Sequence, residues 1–178
     1  MPGLEDEGFS KSVIYMCEHT ERGALGLMIN KPSDINLKKL FDKVELPLDR
    51  SDLSDALVFQ GGPVQTERGF VLHESMMPGL EAVYASTMSM PGGLEMTTSK
   101  DVLEALSSGN GPKKVFVSLG YSAWGEGQLE SEISDNSWLT VAADIAVIFD
   151  TPVEERYARA MGLLGLESWM LSPDAGHA

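Results

Sequence analysis

Residues 12–30 read Ser12-Val13-Ile14-Tyr15-Met16-Cys17-Glu18-His19-Thr20-Glu21-Arg22-Gly23-Ala24-Leu25-Gly26-Leu27-Met28-Ile29-Asn30. Two runs rich in β-branched, aromatic and aliphatic residues flank the polar triplet Thr20-Glu21-Arg22. That pattern predicts a β-hairpin with strands over 12–19 and 23–30. Pairing His19 with Gly23 sets Cys17 opposite Leu25, Tyr15 opposite Leu27 and Val13 opposite Ile29. These six form one apolar face, because side chains alternate along a strand. The other face also carries Ile14, Met16, Ala24 and Met28, so the hairpin is expected to be covered on both sides.

Outward from the hairpin, Leu37, Leu40, Phe41 and Val44 recur at helical spacing and predict a short amphipathic helix over 36–44. Residues 49–55 are polar and acidic and read as a loop. Strands are expected over 56–60 and 69–73, joined through Gly61-Gly62-Pro63, and over 82–88 and 94–97 around Met90-Pro91-Gly92-Gly93. Thr98, with Asp101 three residues later, opens a helix through Leu106 that stops at Gly109. Residues 114–119 read as a buried strand, 126–134 as a helix with Leu129 and Ile133 inward, and 138–141 and 145–149 as extended. Thr151-Pro152-Val153-Glu154 has the form of a capping box with proline at the first helical position. The helix it opens, to Leu164, carries Val153, Tyr157, Met161 and Leu164 on one face. Hairpins mixed with isolated helices, without regular strand–helix alternation, give an α+β class.

The chain has 178 residues, the size of one domain or of one domain and a small lobe, and no strong linker divides it. Asp plus Glu number 27 against 13 Lys plus Arg, a net charge of −14. Phosphate backbones are bound by cations that release counterions, so this charge argues against direct nucleic-acid binding. The densest basic patch, Lys38, Lys39 and Lys43, is interrupted by Asp42 and Glu45. Residues 121–178 hold ten acidic and two basic side chains. They form a solvated acidic surface or a docking face for a protein with a basic surface. No stretch approaches the ~18 apolar residues of a membrane span. Met1-Pro2-Gly3-Leu4-Glu5-Asp6-Glu7 lacks the basic and apolar regions of a signal peptide. With one cysteine and no such signal, a cytoplasmic location is expected.

Three sets of residues carry possible chemistry. Cys17 and His19 lie two apart on one strand, where an imidazole could lower the thiol pKa for a thiol-dependent enzyme or redox sensor. The alternative is that Cys17 is a small buried hydrophobe beside Leu25. Gly120-Tyr121-Ser122-Ala123-Trp124 follows a strand and precedes a helix, as a nucleophile elbow does, but Trp124 stands where that motif has glycine. Only His177 follows as a possible base. Gly120, Gly125 and Gly127 match no dinucleotide or Walker pattern, and Glu126, Glu130 and Glu132 put negative charge where a phosphate would sit. His19, His73, His177 and Cys17 have no zinc-ligand spacing, so neither a metal nor a cofactor is expected. Trp124, Gln128, Asn136 and Trp138 flank one helix and suit either a polar-lined pocket or a satisfied buried network. Met76, Met77, Met88 and Met90 suit an adaptable apolar surface or core filling.

The ordered set Met1-Pro2-x-Leu4, Phe9-x-x-Ser12-Val13, Glu18-His19, Gly23-x-x-Gly26, Asn30-Lys31-Pro32, Gly61-Gly62-Pro63-Val64 and Arg68-Gly69-Phe70-Val71-Leu72-His73 points to a family. So do Thr97-Thr98-Ser99, Leu119-Gly120-Tyr121, Trp124-x-x-Gly127-Gln128-Leu129-Glu130-x-Glu132-Ile133 and Asn136-x-Trp138-Leu139. The chain resembles the YqgE/AlgH family of uncharacterised bacterial proteins over residues 1–165. The resemblance implies a single compact α+β domain there, with a mixed or antiparallel, bifurcated, barrel-like sheet and flanking helices, and a tail over 166–178. It implies no established enzyme activity, and through the AlgH label an indirect part in transcriptional regulation. The recurring polar positions map to Glu18, His19, Asn30, Gly61, Gly62, His73, Gly120, Tyr121, Trp124, Gln128, Glu132, Asn136 and Trp138, the candidate ligand- or partner-binding residues. Members of this family carry an apolar strand-forming segment before the Met-Pro-x-Leu motif. Here Met1 stands at the motif, so that strand is absent or the start lies upstream; an absent strand would leave an open sheet edge. The combined expectation is a non-catalytic cytoplasmic binding or indirect regulatory protein, with a Cys17–His19 thiol enzyme or sensor as the alternative.

Overall fold

The computed structural model describes residues 11–75 and 83–165. The Met-Pro-x-Leu motif, Phe9, Met76, Met77, Ala82, His177 and the expected tail lie outside the described residues. In chain order the elements are β1 (Ile14–Thr20), β2 (Gly23–Met28), β3 (Pro32–Asn36), α1 (Leu37–Lys43), β4 (Leu57–Gln60), β5 (Val64–Glu74), β6 (Thr87–Met90) and β7 (Leu94–Thr97), followed by α2 (Asp101–Ser107), β8 (Val115–Trp124), α3 (Gln128–Ser134), α4 (Ile145–Phe149) and α5 (Val153–Leu163). The class is α+β. The chain forms two compact units, one from residues 11–31 and 122–165 and one from residues 32–121.

In the first unit β1 and β2 make the expected antiparallel hairpin, with a corrected register near the turn. Thr20 pairs with Gly23, His19 with Ala24 and Glu18 with Leu25. A bulge between Met16 and Glu18 then absorbs one residue, Cys17, and restores Tyr15 opposite Leu27 and Ile14 opposite Met28. The ladder runs on to Val13, whose carbonyl accepts from Ile29 N at 2.9 Å. Cys17 therefore does not face Leu25. β2 pairs along its other edge with the end of β8, Ala24 with Trp124 and Gly26 with Ser122. Its Ala24, Leu27 and Met28 are all buried, so β2 is covered on both sides, whereas Met16 of β1 is exposed. A small core of Ala24, Trp124, Leu129 and Trp138, with Ile14 and Ile133 against it, seats α3 on this sheet.

Three expectations for this unit are corrected. Residues 145–149 are helical, because Asp144 caps them: its Oδ1 accepts from Ala146 N at 3.0 Å. A five-residue apolar run does not distinguish strand from helix by periodicity. Residues 138–141 form no strand. Thr151 makes no capping box either; its hydroxyl donates to Ala146 O at 2.9 Å, and Pro152 itself occupies the cap position of α5.

In the second unit residues 115–119 of β8 are central. β5 pairs antiparallel on one side and β4 parallel on the other, β7 and β6 extend the sheet beyond β5, and β3 joins β4. The sheet is mixed, and β8 takes β4, β5 and β2 as partners along its length. Helix α1 is where its spacing put it, capped by Asn36, whose Oδ1 accepts from Lys39 N at 2.9 Å. Its Leu37, Leu40 and Phe41 join Val58, Val71, Val102, Leu106 and Val117 in the core. The expected loop over 49–55 contains a 3-10 turn at Ser51–Leu53 that buries Leu53. β6 starts at Thr87, after a bend over 83–86, later than expected. Helix α2 starts at Asp101 without a Thr98 cap; Asp101 Oδ1 instead accepts from Val102 N at 3.0 Å.

The largest correction concerns 120–124. These residues continue β8 instead of turning into a helix, because Gly120 takes a left-handed φ of +76° and lets the strand run on past a bulge. Opposite it, β5 loops out residues 65–68 between Val64, which pairs with Tyr121, and Gly69, which pairs with Leu119. No elbow exists, and Ser122 lies mid-strand at 1% exposure.

Candidate binding cleft

The end of β8 and helix α3 are fastened by one carboxylate. Glu132 Oε2 accepts from the indole Nε1 of Trp124 at 2.9 Å and of Trp138 at 2.7 Å. Glu132 Oε1 accepts from Gln128 Nε2 at 3.2 Å, and Gln128 Oε1 in turn accepts from Gly125 N at 3.0 Å. The indoles meet edge to face with centroids 5.7 Å apart, a favoured aromatic geometry. Both tryptophans are buried. Gln128 was a foreseeable partner for the indoles; the acceptor both share is Glu132. At the hairpin tip, His19 Nε2 is hydrogen-bonded to Glu130 Oε1, an exposed tie between β1 and α3. That hydrogen bond holds the Glu130 carboxyl below its usual range.

Beside this network lies an apolar cleft of about 160 Å³ within the same unit. Its walls include Ile14, Trp124, Leu129, Ile133, Trp138 and Tyr157. Met16, Leu139 and Val141 also line it and are 36%, 39% and 41% exposed. Polar contributions come from Ser12 and Thr140. The cleft residues were legible as apolar faces of two helices. Their pattern does not show that, among the described residues, part of those faces lines a cleft.

The other candidates, Glu18 apart, hold backbone or core. Asn30 staples the approach to β1: its Oδ1 accepts from Val13 N at 2.8 Å and its Nδ2 donates to Lys11 O at 2.9 Å. Asn136, at φ +59°, ends α3 in a Schellman turn, with Asn136 N donating to Ile133 O and Ser137 N to Glu132 O. Glu18 is exposed opposite Leu25. Gly61, Gly62, Gly120, Tyr121 and His73 belong to the second unit. Gly61 N donates to Leu119 O at 2.9 Å, the Gly62 carbonyl packs on Gly120, and Tyr121 stands edge-on to Phe70 at 5.5 Å. His73 is fully buried, with Nδ1 bonded to Glu74 O and Nε2 to Thr97 Oγ1, both at 2.8 Å, and its ring edge-on to Tyr84. Met90 is buried and Met88 half-buried.

Cys17 and His19 meet different surroundings. The bulge turns Cys17 inward to 7% exposure, its Sγ 3.7 Å from Tyr15 O, while His19 stays outside with Glu130. Burial pushes the thiol pKa from 9.0 up to about 12. Native protein at pH 8 is expected to resist iodoacetamide at Cys17 for as long as it stays folded, and to react rapidly in urea. Rapid native alkylation would contradict this burial. The stabilisation from the buried neutral thiol is complete below pH 9.0 and is lost as pH rises toward about 12.

Among the described residues, no three His, Cys, Asp or Glu side chains come together to hold a metal ion. No helix there is long and apolar enough to cross a membrane.

Known proteins are similar to this chain in sequence and fold. A UPF0301 protein from a Polaromonas species is 85% identical over 178 residues, covering all of this chain and 91% of that one. A UPF0301 protein from Variovorax paradoxus is 74% identical, with 100% and 92% covered. The solution structure of the AlgH protein from Pseudomonas aeruginosa superposes with a TM-score of 0.77 at 47% identity, covering all of this chain and 92% of that one. A crystal structure of a Corynebacterium diphtheriae protein, 21% identical over 90% of this chain and 81% of its own, shares the fold with a TM-score of 0.68. The AlgH-like family profile matches residues 1–169, and with these relatives it places the chain in the AlgH-like family of bacterial proteins.

Proposed function

We propose that this protein is a non-catalytic cytoplasmic binding protein, acting through a partner protein with a basic surface, and that the apolar cleft is its site. One observation carries the reading: Glu132 pins both indole N–H groups, so Trp124 and Trp138 sit as a preorganised aromatic wall of a cleft with exposed apolar residues at its margin. Preorganisation lowers the ordering cost of binding, and rigid aromatic anchors are the usual centres of binding energy. The acidic charge favours encounter with a basic surface. An indirect regulatory role fits the same reading.

The test is photo-crosslinking in living cells, with p-benzoylphenylalanine at Leu139 beside the cleft or at Leu57 in the second unit, which is 43% exposed. A discrete protein adduct from position 139, absent at position 57 and lost when Ile133→Glu is added, is the expected result. The same adducts from both positions, or none from position 139, would reject the cleft as the site.

A further inference from the structure

The cleft's size and surroundings narrow what it holds. At about 160 Å³ it is smaller than the roughly 300–1,000 Å³ of sites for drug-sized ligands. It matches the ~150 Å³ cavity known to accept a benzene ring. Its walls favour an aromatic ring over an aliphatic group: two indoles and Tyr157 offer edges and faces, and Met16 and Met161 offer sulfur. Of the two longer helices that line it, α3 is acidic, whereas α5 carries Glu154 and Glu155 against Arg156 and Arg159. Helix α3 and its flanks carry exposed Glu126, Glu130 and Asp135 and no cation, and α5 opens on exposed Glu154 and Glu155. Lys11 before β1 and Arg159 on α5 are the exposed cations nearest in sequence to the lining residues.

From this we infer that the cleft takes a single phenyl ring, a phenylalanine or tyrosine side chain, presented by a Lys- or Arg-flanked segment of a partner protein. The inference rests on the cleft being the binding site and adds the chemistry of the occupant. The ring fills the space beside Trp124 and Trp138, and the flanking cations meet the exposed carboxylates of α3 and of the start of α5. Those exposed charge pairs contribute selectivity more than affinity and weaken with salt.

Nitrogen-15 correlation spectra of the full chain, read at the indole N–H signals of Trp124 and Trp138, test this with four blocked tripeptides at millimolar concentration. Lys-Phe-Lys is expected to move both signals and Lys-Ala-Lys neither. Glu-Phe-Glu should bind about fivefold more weakly at low salt, with the difference closing at high salt. Equal binding of Lys-Phe-Lys and Glu-Phe-Glu, or of Lys-Leu-Lys and Lys-Phe-Lys, overturns the inference and leaves the cleft as a site for something else. Indole shifts that follow protein concentration alone make a second copy of this chain the occupant and likewise overturn it. If no peptide moves either indole, the cleft reading falls as well.

Discussion

Replacing Glu132 with alanine is expected to lower the unfolding free energy by about 3 kcal/mol. Hydrogen bonds to a charged acceptor contribute roughly 1.5–3 kcal/mol each, and a buried donor left without its acceptor is penalised further. Two such bonds, from Trp124 at 2.9 Å and Trp138 at 2.7 Å, end on one oxygen of this half-buried carboxylate. Glu132→Gln keeps one carbonyl oxygen but loses the charge, so about half the loss is expected. Gln128→Ala, which removes only the bond to the other oxygen, should have the smallest effect. Urea unfolding followed by tryptophan fluorescence gives all three values, and the fluorescence also reports the indole environment directly. A Glu132→Ala variant within 1 kcal/mol of wild type would show that packing alone holds the indoles. The preorganised wall of the cleft would then lose its basis.

The second large effect is expected at Gly120. An alanine Cβ there would lie 2.6 Å from Gly62 O, 3.0 Å from Val64 O and 3.2 Å from Thr66 Cα, all backbone atoms of the opposing segment. The left-handed φ of +76° adds about 1–2 kcal/mol of conformational cost for a residue with a side chain. The clash adds to it, because backbone tied into β5 and the Gly61-Gly62 turn has no rotamer to change. A loss of about 3 kcal/mol or more is expected for Gly120→Ala. Gly127 is the internal control. Its φ is +72°, and nothing lies within 4 Å of a Cβ built on it. Gly127→Ala should therefore show the conformational cost alone, about 1–2 kcal/mol. Equal urea midpoints for the two variants would mean that the close approach of Gly62 to Gly120 contributes nothing to stability.

These two positions show how the recurring polar and glycine positions divide. Glu132, Trp124, Trp138 and Gln128 are linked in one hydrogen-bond network beside the cleft, and His19 is tied to the same helix by Glu130. Asn30, Asn136, Gly120 and His73 shape or satisfy the backbone and core. A residue type and its position in the chain do not separate these roles. An asparagine that caps a helix in the left-handed region and one that lines a pocket look the same in a string of letters.

Short-range patterns were enough for much of the fold. Alternation gave the hairpin, helical spacing gave α1 and the lined face of α5, and turn residues punctuated β4 and β5, because these signals act between near neighbours in the chain. Long-range packing decided the rest. The hairpin register shifts at a bulge at Cys17, and β2 pairs with β1 along one edge and with the end of β8 along the other, partners that no single strand encodes. Strand β8 runs through Gly120 because β5 loops out opposite it and supplies partners beyond. The shared carboxylate under two indoles exists only once α3 lies against the end of β8. The cleft beside it is surface that packing among the described residues leaves open, and a pattern of apolar residues records which faces turn inward but not where their neighbours stop short.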